Sequence, residues 1–284
     1  MNQQYGTFEK DAMVIEYTQR GEGPPVLFLH GGHASCFETI GTEALLSAGY
    51  SVIAPSRPGY GATSPISNLD AACSLYDGLL AHLGLERIHV LSASAGGPAG
   101  IRFAALYPKK TASLTLQSAV TKEWITPADP SYKAAKVLFH PKRERFTWRL
   151  LQLISRRFPK LLFRQMFSSF STLSYQEAAA SIAPGDAETF ARMMASQRSG
   201  KGFMIDLEQS REARTDTLAA ITCPVLIMHS PFDASVSFAH AEHAAAMIPN
   251  ARLEKLHAWG HLIWLGRDAG TTDRLLLAFL REHQ

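Results

Sequence analysis

The chain has little of several things that would settle its class at once. Its three cysteines, Cys36, Cys73 and Cys223, stand far apart in 284 residues. Their odd number and wide spacing neither close a disulfide framework nor supply a metal cluster. They read as buried thiols in a reducing compartment. Long apolar runs are missing too: Val26–Leu29 and Val225–Met228 are strand-sized, far short of the roughly 18 residues of a membrane-spanning helix. Charge of one sign is scarce, and a net +3 is too slight to imply nucleic acid. The opening Met-Asn-Gln-Gln-Tyr has no basic stretch, apolar core or cleavage site, so the expected location is cytoplasmic. Gly-x-Gly-x-x-Gly, P-loop, His-Glu-x-x-His and Cys-x-x-Cys patterns do not occur, so no nucleotide cofactor and no metal are expected.

What is present is ordinary globular composition, with 46% hydrophobic and 19% charged residues, which removes disordered and collagen-like readings. Apolar, β-branched runs recur at Met13–Tyr17, Val26–Leu29, Ser51–Ala54, Ile88–Leu91, Leu114–Gln117, Val225–Met228 and Arg252–Leu256. Several lack polar alternation, as strands covered on both faces do. Between them lie stretches of helical spacing at Glu38–Ala48, Leu69–Leu83, Pro98–Tyr107, Ser237–Ile248 and Thr271–Arg281. Alternating strand and helix predicts an α/β fold with a mostly parallel sheet.

The alternation stops between about Val120 and Ile205, which divides the chain into a core of residues 1–120 and 206–284 and an inserted helical cap of 121–205. Helical patches are expected there at Phe146–Phe158, Lys160–Phe167, Tyr175–Ile182 and Ala187–Ser196. From Lys136 to Arg164 the insert carries nine Lys or Arg and one acid, Glu144. The plain expectation is a solvated basic face, with Phe146, Leu150, Leu153 and Ile154 packing inward. Sharper alternatives are an anionic substrate at the mouth or a loose membrane-surface contact.

Chemistry enters after the strand Ile88–Leu91, where Ser92-Ala93-Ser94-Ala95-Gly96-Gly97 runs straight into a helical pattern. A serine on a sharp strand-to-helix turn between very small neighbours describes a nucleophile elbow, and the Ala95 amide faces the same space as an oxyanion donor. Here the chain resembles the α/β-hydrolase family, whose usual motif is G-x-S-x-G; Ser92 stands where that family has glycine. The resemblance implies partners in the order Ser, Asp, His. Asp233 follows the strand Val225–Met228, and His261 follows Arg252–Leu256 in Ala258-Trp259-Gly260-His261. Their plainer readings are a helix N-cap and a strand-end polar residue.

In His30-Gly31-Gly32-His33 the resemblance makes the Gly32 amide the second oxyanion donor. Candidate substrate-pocket residues are His33, Trp124, Phe232 and Leu262. Arg57, in Ser56-Arg57-Pro58-Gly59-Tyr60-Gly61, reads as an ion-pairing scaffold residue in a rigid turn. His229 and Asp233 are four apart, but Pro231 between them forbids the helix that would make a metal pair.

The leading expectation is a cofactor-independent serine hydrolase that cleaves a small to medium carboxylic ester through an acyl-enzyme on Ser94. Its partner is a small-molecule substrate, with no nucleic acid and no integral membrane association. An amidase or proline-iminopeptidase-like aminopeptidase, a lactone or carbon–carbon bond hydrolase, and a non-catalytic receptor remain alternatives, because one fold hosts many chemistries.

Overall fold

A computed structural model of the chain describes residues 3–126, 132, 133, 137, 139, 140, 143–212 and 215–284. Its centre is one eight-stranded sheet in the order β1-β2-β4-β3-β5-β6-β7-β8. The strands are β1 (Gln3–Lys10), β2 (Met13–Arg20), β3 (Pro25–Leu29), β4 (Ser51–Pro55), β5 (Ile88–Ala93), β6 (Thr111–Gln117), β7 (Val225–His229) and β8 (Ala251–Lys255). The pairs β1–β2 and β2–β4 are antiparallel; all the others are parallel.

Alternate side chains of the buried strands feed two cores, as the two-residue period of a strand requires. Leu27, Leu29, Val90, Val225 and Ile227 face one core, shared with helices α2 (Leu69–His82), α3 (Gly97–Leu106) and α9 (Ala239–Met247). Val26, Phe28, Leu91, Leu226 and Met228 face the other, under α1 (Glu43–Ser47) and α10 (Ala269–Glu282). Both faces being apolar explains why these strands read as unbroken hydrophobic runs. The three cysteines are buried and free.

Three elements depart from the sequence expectation. Strand β1 carries no apolar run; it is mostly exposed and exists because a two-residue turn, Asp11 and Ala12 with φ of 51° and 61°, folds it back on β2. The helix expected over Glu38–Ala48 is confined to Glu43–Ser47. Gly41 adopts φ 81°, and a Cβ there would sit 2.5 Å from the Trp264 ring, so the chain turns at that point. Tyr175–Ile182 forms turns rather than a helix.

The connection from β6 to β7 contains α4 (Glu144–Arg157), α5 (Pro159–Met166), α6 (Asp186–Ser196) and α7 (Gly202–Ser210), followed by the short α8 (Thr215–Ala219). Helix α7 runs unbroken through the expected boundary at 205/206. Trp148, Phe163, Phe167, Phe190 and Met194 of this connection share an apolar cluster with Trp259, Leu262 and Leu265 from the loop after β8. The connection is therefore packed onto the loop that carries His261. Phe146, Leu150 and Leu153 do not pack inward; they are 75%, 48% and 66% exposed. Helix α4 buries the opposite face, where the Trp148 indole donates to Ser199 Oγ at 2.7 Å and Glu144 accepts from Arg198 at 3.0 Å.

Ser92 fits the elbow because α3 presents a glycine to it: a Cβ on Gly100 would lie 1.9 Å from Ser92 Oγ. The hydroxyl itself is buried without a hydrogen-bond partner among the described residues. Gly100→Ala is expected to destabilise the fold by about 1–3 kcal/mol through overpacking. Adding Ser92→Gly should recover most of that loss. Urea unfolding of both single variants and the double variant checks the coupling, and simple additivity would refute it.

Candidate active site

Three strand ends deliver three side chains to one point. Ser94 begins the turn between β5 and α3 with φ 50°, a left-handed conformation that costs a non-glycine residue energy and lifts its side chain clear of the strand. Two glycines make the turn possible. A Cβ on Gly96 would lie 2.3 Å from the Leu29 carbonyl oxygen, and one on Gly97 would lie 2.1 Å from that of Val120. Ser94 Oγ stands 2.9 Å from His261 Nε2, and His261 Nδ1 stands 2.7 Å from Asp233 Oδ2.

Each member is held by its own neighbours. Asp233 Oδ1 accepts from the amides of Ser235 and Val236, both at 2.8 Å. Oδ2 accepts from His261 and lies 3.0 Å from His229 Nε2, which is itself 2.8 Å from the Val236 carbonyl oxygen. Burial opposes ionisation of this carboxyl, but the charge and hydrogen bonds of His261 and His229 outweigh it and hold the pKa at about 2. Pro231 does prevent a helix, as the sequence indicates, yet the turn it creates folds Asp233 back onto His229. That contact was not legible from spacing alone. His261 is fixed through its backbone: its N–H donates to Phe170 O at 2.8 Å, and its carbonyl accepts from Ser118 Oγ at 2.9 Å. Gly260 lets Phe170 come this near, since a Cβ there would meet the Phe170 carbonyl oxygen at 2.3 Å.

Gly32 and Ala95 face each other beside Ser94; a Cβ on Gly32 would lie 3.8 Å from the Ala95 Cβ. Their N–H groups are aimed indirectly. In a trans peptide the C=O and N–H point opposite ways, so anchoring the preceding carbonyl orients the amide. The Ser94 carbonyl accepts from Val120 N at 2.9 Å, which turns the Ala95 N–H the other way. The Gly31 carbonyl accepts from Arg57 Nη2 at 3.1 Å and from His30 Nδ1 at 2.7 Å, which does the same for Gly32. The Arg57 backbone N–H donates to His30 Nε2 at 2.9 Å, so the proton of His30 sits on Nδ1.

Arg57 is buried and uses its whole donor fork. Nε donates to His30 O at 2.6 Å, Nη1 to Ala95 O at 3.3 Å and Asp206 Oδ1 at 2.5 Å, and Nη2 to Gly31 O and to Asp206 Oδ2 at 2.9 Å. Tyr60 donates to the same carboxylate at 2.6 Å. Burial works against the guanidinium charge, but Asp206 more than restores it and pushes the Arg57 pKa up. The sequence reading of Arg57 as an ion-pairing residue lacked its partner, which lies 149 positions away on α7. The turn after Arg57 meets α7 closely, for a Cβ on Gly202 would lie 2.3 Å from the Tyr60 ring.

The candidate pocket residues fall into two groups. His33 is enclosed by Phe139, Phe203 and Trp148, with ring centroids 4.3, 4.4 and 5.1 Å away, and its Nδ1 is 2.8 Å from Ser199 Oγ. Burial, with Arg57 nearby, pushes its pKa down to about 3. Trp124 packs edge-on against Phe203 and donates to Ser235 O at 2.8 Å. Phe232, beside Asp233, takes the Thr172 N–H on its carbonyl at 2.8 Å. Leu262 is buried in the cluster shared with the β6–β7 connection.

With these elements in place, the chain belongs to the α/β-hydrolase family: the family profile for the alpha/beta hydrolase fold matches residues 24–268. It is a hydrolase on that scaffold. It is similar to the uncharacterized hydrolase YcgS of Bacillus subtilis (strain 168), 48% identical over 99% of both chains. It is also similar to an alpha/beta hydrolase fold protein from Nakamurella multipartita, with TM-score 0.83 and 27% identity over 98% of this chain and 99% of that one. A shorter match, 35% identical over 38% of this chain and 41% of the relative, is to a 2-hydroxy-6-oxononadienedioate/2-hydroxy-6-oxononatrienedioate hydrolase of Pseudomonas putida.

Two predictions follow from the buried charges and rings. Asp206→Ala leaves Arg57 buried and unpaired, so it should lower unfolding stability by about 3–5 kcal/mol. Removal of the exposed Asp70–Arg102 pair should cost about 1 kcal/mol or less. Equal losses in chemical denaturation would contradict this ranking. Burial also depresses His33 and His240 to about 3 and His89 to about 4. The unfolded chain then binds more protons than the folded one below the ordinary histidine value. Stability from this source is complete above about pH 6.5 and is lost on acidification towards those lower values. Urea midpoints measured from neutral to mildly acid pH should fall steadily; a flat profile would contradict the assignment.

Proposed function

We propose that the chain is a serine hydrolase of small to medium carboxylic esters, working through an acyl-enzyme on Ser94. The observation that carries this reading is the unbroken line from Ser94 Oγ to His261 Nε2 at 2.9 Å and from His261 Nδ1 to Asp233 Oδ2 at 2.7 Å. A serine hydroxyl is a weak nucleophile unless a base takes its proton as it attacks. His261 is that base. Its imidazolium is stabilised by Asp233, which stays anionic because its pKa is held near 2.

Attack on the ester carbonyl carbon forms the Oγ–C bond and moves the carbonyl electron pair onto oxygen. The amides of Gly32 and Ala95 receive that oxyanion, already oriented by the carbonyl anchors at Gly31 and Ser94. As the intermediate collapses, His261 returns the proton to the departing alkoxide. A water, deprotonated by the same imidazole, then cleaves the acyl-enzyme and releases the acid and Ser94.

The β6–β7 connection acts as a cap in this reading. Aromatic residues next to the site, Phe170 stacked on His261 and Phe203 against Gly32, favour a largely apolar substrate. An aminopeptidase is disfavoured on a specific ground. It needs a cap carboxylate free to grip an ammonium group, whereas the buried acids of the connection among the described residues are occupied. Glu144 holds Arg198, Asp186 accepts from Ala183 and Gly266 amides, and Asp206 holds Arg57 and Tyr60. A carbon–carbon bond hydrolase is the second reading, favoured by the likeness to the Pseudomonas putida enzyme.

Ser94→Ala should lower turnover of short p-nitrophenyl esters by at least about 10³-fold with the fold intact. A fluorophosphonate probe should label the parent chain at Ser94 and leave the variant unlabelled. Undiminished ester turnover by the variant would sink the assignment. Turnover of vinylogous 1,5-diketones in preference to esters would select the second reading.

A further inference from the structure

Helix α4 has two unlike faces. Glu144, Trp148 and Ser155 are buried against the rest of the protein. On the opposite side Phe146, Leu150 and Leu153 follow one another at intervals of four and three and are exposed. Phe158 and Leu161, where α4 turns into α5, continue the patch at 50% and 53% exposure. Apolar side chains at helical spacing ordinarily form the buried stripe; a contiguous exposed patch of this kind marks a contact surface.

Along α4 and α5 beyond Glu144 the charge is of one sign. Arg145, Arg149, Arg156, Arg157, Lys160 and Arg164 are all exposed, and no Asp or Glu occurs from residue 145 through 176. The Arg157 guanidinium lies over the Phe158 ring at 5.0 Å, so cation and apolar ring sit at the same level. Long cationic side chains beside leucines and phenylalanines suit the boundary between lipid headgroups and acyl chains, where the stem lies in apolar surroundings and the charge meets phosphate.

We propose that the outer face of α4 and α5 docks on an anionic lipid bilayer. Phe146, Leu150, Leu153, Phe158 and Leu161 enter the headgroup boundary, and the flanking cations pair with lipid phosphates. Contact is peripheral, as no helix among the described residues is long and apolar enough to cross a membrane. A symmetric contact of α4 and α5 with a second copy would set the same cations against one another, with no acid from residue 145 through 176 to answer them. A nucleic acid would satisfy the cations but leave the apolar stripe in water. The inner face of the same helix bonds Ser199, the hydroxyl that also holds His33. Docking therefore brings the helix that holds Ser199, and through it His33, to the lipid surface. The proposal does not depend on which bond the site cleaves.

Flotation of the full chain with vesicles tests it. Binding is expected to vesicles of phosphatidylcholine mixed with phosphatidylglycerol, and to be weaker by about tenfold or more with phosphatidylcholine alone or in high salt. Phe146→Ser/Leu150→Ser/Leu153→Ser and, separately, Arg149→Gln/Arg156→Gln/Arg157→Gln should each weaken binding to the mixed vesicles by about tenfold or more. Tm and turnover of a water-soluble p-nitrophenyl ester should be unchanged in both, and the flotation result stands even if no ester is turned over. No binding to the mixed vesicles, or equal binding by parent and variants, overturns the proposal. A concentration-dependent dimer that the triple serine variant abolishes, without vesicle binding, would assign the face to self-association instead.

Discussion

The pairing of Arg57 with Asp206 is the interaction on which the site's geometry rests. A guanidinium buried this deeply is tolerable only because each of its N–H groups finds an acceptor, and those acceptors are drawn from three separate parts of the chain. His30 and Gly31 belong to the loop after β3, Ala95 to the turn after β5, and Asp206 to α7. One side chain thus sets the distance between the two loops that carry the Gly32 and Ala95 amides and ties both to the β6–β7 connection. Lysine could not replace it, having neither the planar fork nor enough donors.

The carbonyl anchors extend the same logic. The amides of Gly32 and Ala95 are oriented by bonds made on the far side of their own peptide groups, through the carbonyls of Gly31 and Ser94. Ser94 φ 50° is held in the same way: its carbonyl is fixed by Val120, and the glycines beyond it admit the neighbouring backbone. Strain at Ser94 is tolerated because the surroundings over-determine it.

Much of this was legible in the sequence. Strands buried on both faces announce themselves as apolar runs, and Ser94 and Asp233 each follow such a run; His261 follows the half-exposed edge strand β8, and it was the resemblance in motif order that singled it out before its proximity was known. Strand β1 was invisible because an edge hairpin with a solvated face needs no apolar run; its signal is backbone conformation at Asp11 and Ala12. Asp206 was hidden for another reason. A carboxylate inside a helix looks like surface until its partner, far away in the chain, is brought to it. Ser92 looked like a departure from the family pattern when read alone and makes sense only beside Gly100. The direction of α4 was misread because Phe146, Leu150 and Leu153 have the spacing of a buried stripe. What decided its orientation was polar: Trp148 and Glu144 find hydrogen-bonding partners in the interior, and the leucines do not need any.

That two-sidedness constrains how α4 can vary. Each residue advances a helix by about 100°, so a single insertion near Thr147 would carry the phenylalanine and leucines sideways and withdraw Trp148 from Ser199. Adding or removing a whole turn of three or four residues would nearly preserve both faces. Substitutions on the outer stripe leave the inner bonds untouched, but changes of length do not. Lengths in this helix are therefore expected to differ among related chains by turns rather than by single residues, while the loops around it drift freely.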